Sequence, residues 1–172
     1  MPMRLRPFLW TDYPAVRSLW DACLGATYPV TDRVLMPRLS ARTDFEPGDV
    51  IVAVERGAIV GLAVTEFDTA FPASQPAGSL NAVLVDPAFR RRGIGRQLVE
   101  AAFRRLSERG AVAVTLSYGA WRFWSGVPDN CADAAEFFAR CGFVDGNEVI
   151  DLCADLSAFA PKEEYARGLA EA

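Results

Sequence analysis

The sequence predicts an α/β (α+β) domain, and three observations carry that prediction. Apolar, β-branched runs at 50–55, 58–67 and 80–85 have the length and composition of buried strands. Other segments repeat their apolar residues at helical spacing, as at Val16, Leu19, Trp20, Cys23 and Leu24. The third observation is a basic, glycine-bearing stretch, Arg90-Arg91-Arg92-Gly93-Ile94-Gly95-Arg96, that leads from a strand straight into a helix.

Taken in order, Met3 to Phe8 alternates enough to be a first strand, and Thr11-Asp12-Tyr13-Pro14 reads as a helix cap with proline in the first turn. After Gly25 a short helix is expected from Thr31 to Leu39, with Pro29 before it and Pro37 near its end. Val50 to Glu55 and Ala58 to Phe67 form a hairpin about Arg56-Gly57. Asp68 to Ser79, rich in Pro, Ala and Ser, reads as a loop, and Leu80 to Val85 as the next strand. The helix from Ile94 to Arg109 buries Ile94, Leu98, Ala101, Ala102 and Leu106, and Gly110 ends it with a positive φ. Ala111 to Tyr118 reads as a buried strand and Asp133 to Cys141 as a helix, while Phe143 to Leu156 reads as two strands meeting at Gly146-Asn147. One domain therefore occupies residues 1–160, and 161–172 form a polar terminal helix or tail.

Composition narrows the function. The 172 residues are 51% hydrophobic and 23% charged, an ordinary globular balance that buries about 70% of the unfolded surface in one core. No secretory leader is evident, and no apolar run reaches the roughly 18 residues of a membrane helix, so the expected location is the cytoplasm, with no membrane partner. Cys23, Cys131, Cys141 and Cys153 form no C-x-x-C pair and the chain has no histidine, which argues for free, mostly buried thiols and no metal. Residues 90–109 carry seven arginines against Glu100 and Glu108, a local +5, so the remainder carries −9 to give the net −4. With a pI of 4.9 this is no nucleic-acid binder. A compact polyanion suits the local patch, and the acidic remainder suits a cationic amine.

A strand, a tight turn and a helix start together aim main-chain N–H groups and the positive helix end at one point, which is how a pyrophosphate is held. Gly93 and Gly95 would let oxygen atoms reach that backbone. No Lys-Ser or Lys-Thr follows Gly95, so the loop is not a Walker A; Leu98 stands where a dinucleotide fingerprint needs its third glycine.

The full stretch Val83-Leu84-Val85-Asp86-Pro87-Ala88-Phe89-Arg90-Arg91-Arg92-Gly93-Ile94-Gly95-Arg96-Gln97-Leu98 resembles the GNAT superfamily of N-acetyltransferases. There an apolar strand is followed by V-x-P and then by [QR]-x-x-G-x-[GA] opening a helix. The element order β-α-α-β-β-β-α-β-α-β-β resembles that family over residues 3–156. The resemblance implies a GNAT acyl-CoA N-acyltransferase fold, a central mixed, mostly antiparallel β-sheet flanked by helices. It implies acetyl-CoA as cosubstrate, with the pyrophosphate on the main chain of Arg91, Arg92, Gly93, Ile94, Gly95 and Arg96, next to Arg90. The pantetheine arm would pair with Val83, Leu84 and Val85. It further implies direct transfer to a small-molecule or peptide amine, and it allows a homodimer through the C-terminal strands.

Departures from the family concern the proton chemistry. Many relatives place a tyrosine before a Gly-Phe pair to protonate the coenzyme thiolate; counting back from Gly142-Phe143, that position is Phe138, and Asn130 stands one place out of register with Cys131 in its slot. The thiolate is then protonated by water, by Tyr118 at its strand end, or by no specific group. Glu66 and Asp68 are the nearest carboxylates for a base, though each reads more simply as a solvated strand end, and Tyr28 is a third candidate. Trp121, Phe123 and Trp124 line a substrate pocket, cover a core edge or form a dimer contact, and packing is the favoured reading. Arg104, Arg105 and Arg109 read as a solvated helix face. The missing tyrosine leaves a second functional reading, a non-catalytic acyl-CoA-binding or regulatory domain.

Overall fold

Apolar runs without strict alternation form strands covered on both faces, and a five-stranded sheet of that kind organises the protein. The computed structural model describes residues 2–40, 45–68, 76–144, 146, 148–150 and 155. The strands are β1 (Arg4–Pro7), β2 (Val50–Glu55), β3 (Ala58–Asp68), β4 (Ala77–Val85) and β5 (Ala113–Leu116), side by side in chain order. The first three pairings are antiparallel and β4 with β5 is parallel, so the sheet is mixed and mostly antiparallel, as expected. The helices are α1 (Tyr13–Leu24), α2 (Asp32–Ser40), α3 (Ile94–Glu108) and α4 (Ala132–Arg140).

Val50, Val52 and Val54 of β2 face α1 and α2, packing with Val16, Trp20 and Leu35. Ile51 and Ala53 face the other way, onto Ile94, Leu98 and Ala102 of α3. At 25 cal/mol per Å² of apolar surface, each fully buried Leu or Val stabilises by about 1.5 to 3 kcal/mol, so these two cores dominate stability. In β4 the alternation reverses: Leu80 faces α3, yet Ala82 and Leu84 face α1. The cause is a bulge. Thr65 pairs with Leu80 and Val64 with Ala82, leaving Asn81 as the extra residue.

Several expectations change. β4 begins at Ala77 rather than Leu80, because the small residues that read as loop are strand residues under a close helix; a Cβ on Gly78 would sit 2.6 Å from Leu106 Cδ2. β5 is trimmed to Ala113–Leu116. The described residues between 143 and 155 form no strand, and the rest of the expected final pair, with Cys153 and the tail 161–172, lies outside the described residues. Asp12 makes no cap bond to α1; its carboxylate turns back to accept from Leu9 N (2.8 Å) and from two Arg6 nitrogens (2.6 and 2.8 Å). Cys23, Cys131 and Cys141 are free but half-buried rather than buried.

The expectation of a solvated arginine face on α3 is overturned for two of its three residues. Asp49, fully buried before β2, accepts from Arg105 Nε (3.0 Å) and Arg109 Nη1 (2.7 Å), and Glu46 bonds Arg105 as well. Arg109 also lies over the Phe67 ring at 5.1 Å. Two guanidiniums a helical turn apart thus close on one carboxylate 56 and 60 residues away in the chain.

Removing one charge from such a cluster leaves the others buried and uncompensated. Asp49→Asn is therefore expected to cost about 3 to 5 kcal/mol, lowering the melting temperature by roughly 10 °C. Denaturant unfolding of the variant measures it, and a loss below about 1 kcal/mol would show the cluster to be energetically neutral. The hydrogen bond from Arg6 holds the Asp12 carboxyl below the usual carboxylate range. Its contribution is present above the unfolded value near pH 4 and is lost as pH falls through the depressed folded value. Asp12→Asn should flatten that part of the acid limb of the stability profile.

Candidate active site

The sheet opens where β4 and β5 part. Their pairing covers Ala77 to Leu80 against Ala113 to Leu116, and Ser117 N adds one bond to Leu80 O (3.1 Å). Ser117 then takes a left-handed conformation, φ 52°, and its Oγ donates to Asn81 O (3.3 Å). That backbone turns the chain away from the sheet at the level of the bulge. Beyond Asn81, β4 has no strand on this side among the described residues.

Pairing geometry says which groups face the opening. Asp86 N donates to Val60 O (3.0 Å), so Gly61 and Val85 are a non-hydrogen-bonded pair. The N–H and C=O of Val85, and of Val83 two residues back, therefore point away from β3 into the open edge. Those of Leu84 point toward β3, and its side chain packs in the α1 core. Of the three predicted arm-binding residues, two offer main-chain partners and the third is a core residue. The Val85 carbonyl already accepts from Cys23 Sγ (3.3 Å) and Arg90 Nε (3.0 Å), which ties α1 and the loop to the strand end.

The strand leads to a 3-10 turn at Pro87–Phe89, capped by Asp86, and then to the arginine loop. Arg91 (φ 61°) and Gly93 (φ 80°) are both left-handed, and Gly93 is the N-cap of α3. The first helical bond is Gln97 N to Gly93 O (3.1 Å), so the N–H groups of Gly93, Ile94, Gly95 and Arg96 have no carbonyl one turn back. They are four donors at the positive end of a 15-residue helix, the arrangement that suits an anion. Among the side chains, Arg92 bonds Ala88 O (3.2 Å) and lies over Phe89, while Arg96 pairs with Glu100 (2.9 Å) and is exposed. Gly95 has a packing duty besides: a Cβ there would meet the Phe137 ring of α4 at 3.3 Å.

The far side of the opening holds a polar relay. Glu66, expected at a solvated strand end, is 5% exposed. Its carboxylate accepts from Asn81 Nδ2 (2.8 Å), Ala120 N (3.1 Å) and Trp121 N (3.2 Å). Ser79 Oγ donates to Asn81 Oδ1 (2.6 Å) and accepts from Tyr118 N (3.0 Å) and Gly119 N (3.2 Å). Four consecutive loop amides are thus held by two sheet side chains. The approach requires glycine at 119, where a Cβ would lie 2.0 Å from Glu66 Oε2. Sequence reasoning missed the relay; its one visible trace was the run of polar residues, Ser79 and Asn81, inside an apolar strand.

Tyr118 is 62% exposed at the start of this loop. Phe123 and Trp124 pack on buried Trp20, at 4.7 and 5.6 Å between ring centroids, which makes them core-edge residues as favoured. Their outer sides, with Tyr28, Val34 and Arg38, still line a cleft of about 250 Å³. Tyr28 Oη donates to Asn130 Oδ1 (2.8 Å). Phe138 lies between Phe137 and Phe143. The Asp68 side chain is outside the described residues. Among the described residues no group of Cys, Asp or Glu is placed to hold a metal, and no helix is long and apolar enough to cross a membrane.

The family model described as an acetyltransferase (GNAT) domain matches residues 46–145. Among solved structures, the glucosamine N-acetyltransferase region of a fungal multi-domain GH3 β-N-acetylglucosaminidase is 28% identical with a TM-score of 0.82; the match covers 99% of this chain but only 20% of that one. An aminoglycoside N-acetyltransferase solved with CoA is 18% identical, TM-score 0.67, covering 89% of this chain and 95% of that one. The ribosomal-protein-S18-alanine N-acetyltransferase from Escherichia coli is 18% identical, TM-score 0.66, covering 85% and 80%. These last two share the fold. No curated protein is significantly similar in sequence.

If Glu66 holds the loop, Glu66→Ala should speed hydrogen–deuterium exchange at Ala120 and Trp121 by about tenfold or more, the equivalent of one lost hydrogen bond. Ser79→Ala should do the same at Tyr118 and Gly119. Unchanged exchange at these amides in both variants would mean that the loop is held by its aromatic packing instead.

Proposed function

The chain belongs to the GNAT acetyltransferase family and is an acetyltransferase, and from that premise we propose that it transfers the acetyl group of acetyl-CoA to a primary amine by direct attack within a ternary complex. The observation that carries the reading is the open edge of β4 running into the cradle at the start of α3. An extended arm with two amides would pair with the outward C=O of Val83 and N–H of Val85, while its pyrophosphate takes the N–H groups of Gly93 to Arg96. Arg91, whose side chain makes no polar contact among the described residues, would reach the phosphates, as would Arg96 on releasing Glu100.

Bound acetyl-CoA supplies an activated acyl thioester. Residues of the chain then have three tasks. The Val83 N–H faces the opening nearer the splay and Tyr118, and would donate to the acyl oxygen as negative charge grows there. Glu66 is engaged by three donors and serves the site by fixing the loop rather than by taking a proton. Tyr118, exposed at the mouth, remains the candidate donor to the departing thiolate, since Phe138 has no hydroxyl. The amine would enter from the α1 and α2 side, between Tyr28 and the loop at 119–125. Glucosamine, named for the fungal relative, makes amino sugars the first acceptors to screen, with peptide amines after them.

At 100 times its dissociation constant a ligand stabilises the native state by about 2.7 kcal/mol, so acetyl-CoA should raise the melting temperature by roughly 5 to 10 °C where ATP and NAD do not. Gly93→Asp should remove that shift, whereas Gly93→Asn, which tolerates the same left-handed backbone without the charge, should keep most of it. Equal shifts for both variants would sink the cradle. Thiol release on adding an amine marks the transferase; coenzyme binding with no release from any amine would leave a binding domain.

A further inference from the structure

Arg38 of α2 and Arg122 of the 119–125 loop meet at a cleft of about 320 Å³, completed by Ala120, Phe123, Trp124 and Ser125. Both guanidiniums are held by neutral acceptors. Arg38 donates from Nε to Arg122 O (3.1 Å) and from Nη1 to Val34 O (3.3 Å), with its Cζ 5.6 Å above the Phe123 ring. Arg122 donates from Nη1 to Gly119 O (3.2 Å) and from Nε to Ser125 Oγ (3.3 Å). Neither forms an ion pair, and the Nη2 group of each has no protein acceptor among the described residues. The chain, of net charge −4, neutralises Arg6, Arg17, Arg105 and Arg109 with carboxylates, whereas among the described residues these two guanidiniums, like Arg90 and Arg92 at the coenzyme loop, are oriented by carbonyls or a hydroxyl without a counter-charge.

The platform is also rigid. Arg122 N closes a turn on Gly119 O (3.3 Å), and the amides of Tyr118 to Trp121 are pinned by Ser79 and Glu66. An anion arriving there would meet donors already oriented, with little further ordering to pay for. The cleft lies on the α1 and α2 side of the sheet, where the acceptor amine enters under the function proposed above, on which this inference rests.

We propose that Arg38 and Arg122 form an anion subsite, so that the acceptor is a primary amine carrying a carboxylate or phosphate group. This adds an anionic group to the cationic amine expected from net charge. The local charge at the cleft outweighs the distant acidic remainder, because exposed charges beyond about 10 Å are screened.

The test compares matched acceptors at fixed acetyl-CoA: glucosamine with glucosamine 6-phosphate, and tyramine with tyrosine. In at least one pair the anionic member should have the higher kcat/KM by about tenfold or more, as one charge-assisted hydrogen bond implies. The pair that shows it tells phosphate from carboxylate. Arg38→Gln and Arg122→Gln should each reduce the preference about tenfold, through the acceptor KM and with the KM for acetyl-CoA unchanged. Arg122 is exposed, so its variant also guards against a folding defect in the other. Neutral members used as well as anionic ones, or a preference that survives both substitutions, overturns the subsite while leaving the transferase reading intact. A protein that acetyl-CoA does not stabilise fails at the earlier step, and the two failures are separable.

Discussion

A broken ladder underlies the rest of the structure: β4 keeps β3 along its whole length but gives up β5 after Leu80. An unpaired strand edge inside a fold is costly, since each buried N–H and C=O wants a partner. The bulge at Asn81 and the left-handed Ser117 make the break local and reproducible. Ser79, Asn81 and Glu66 then supply to the departing chain the hydrogen bonds that a strand would have supplied. The N–H and C=O of Val83 and the N–H of Val85 are left facing the opening, and under the proposed function a ligand that brings its own amides would complete the sheet.

Electrostatically the helix that follows is divided along its length. At its start, arginines and orphan N–H groups face outward together. About three turns later, Arg105 and Arg109 are consumed by Asp49 and Glu46 at the turn before β2. The cationic character summed over residues 90–109 thus overstates what a polyanion would feel. What remains for it is the first turn of α3 and the loop before it, a smaller and better focused target.

Much of this was legible in the sequence because it is local. The hairpin, the amphipathic α3, its glycine stop and the strand-loop-helix order all depend on residues within a turn or two of one another. Gly110 does close α3, its N–H donating to Ser107 O (2.9 Å) with φ at 94°. The misreadings share the opposite property. Asp49 meets Arg105 across 56 residues and Glu66 meets Trp121 across 55, and no periodicity encodes such a meeting. Ala77, Gly78 and Ser79 have turn composition yet form strand, because Leu106 presses on a position that must lack a side chain. Tertiary packing decided those residues against their local preference.

Strand order equals chain order across the sheet, and that arrangement bears on how the protein is built. As the chain leaves the ribosome, each strand from β2 onward can dock on the edge left by the one before it. The hydrophobic layers of α1 and α2 can close early, without waiting for the C-terminal half. The opening between β4 and β5 has no meaning until β5 arrives, and the relay through Glu66 cannot close until residues 118–121 are made. Catalytic competence is therefore a late property of this fold during synthesis, and a nascent chain stalled before residue 113 would hold most of the sheet and the start of α3 but leave the outer edge of β4 bare along its whole length.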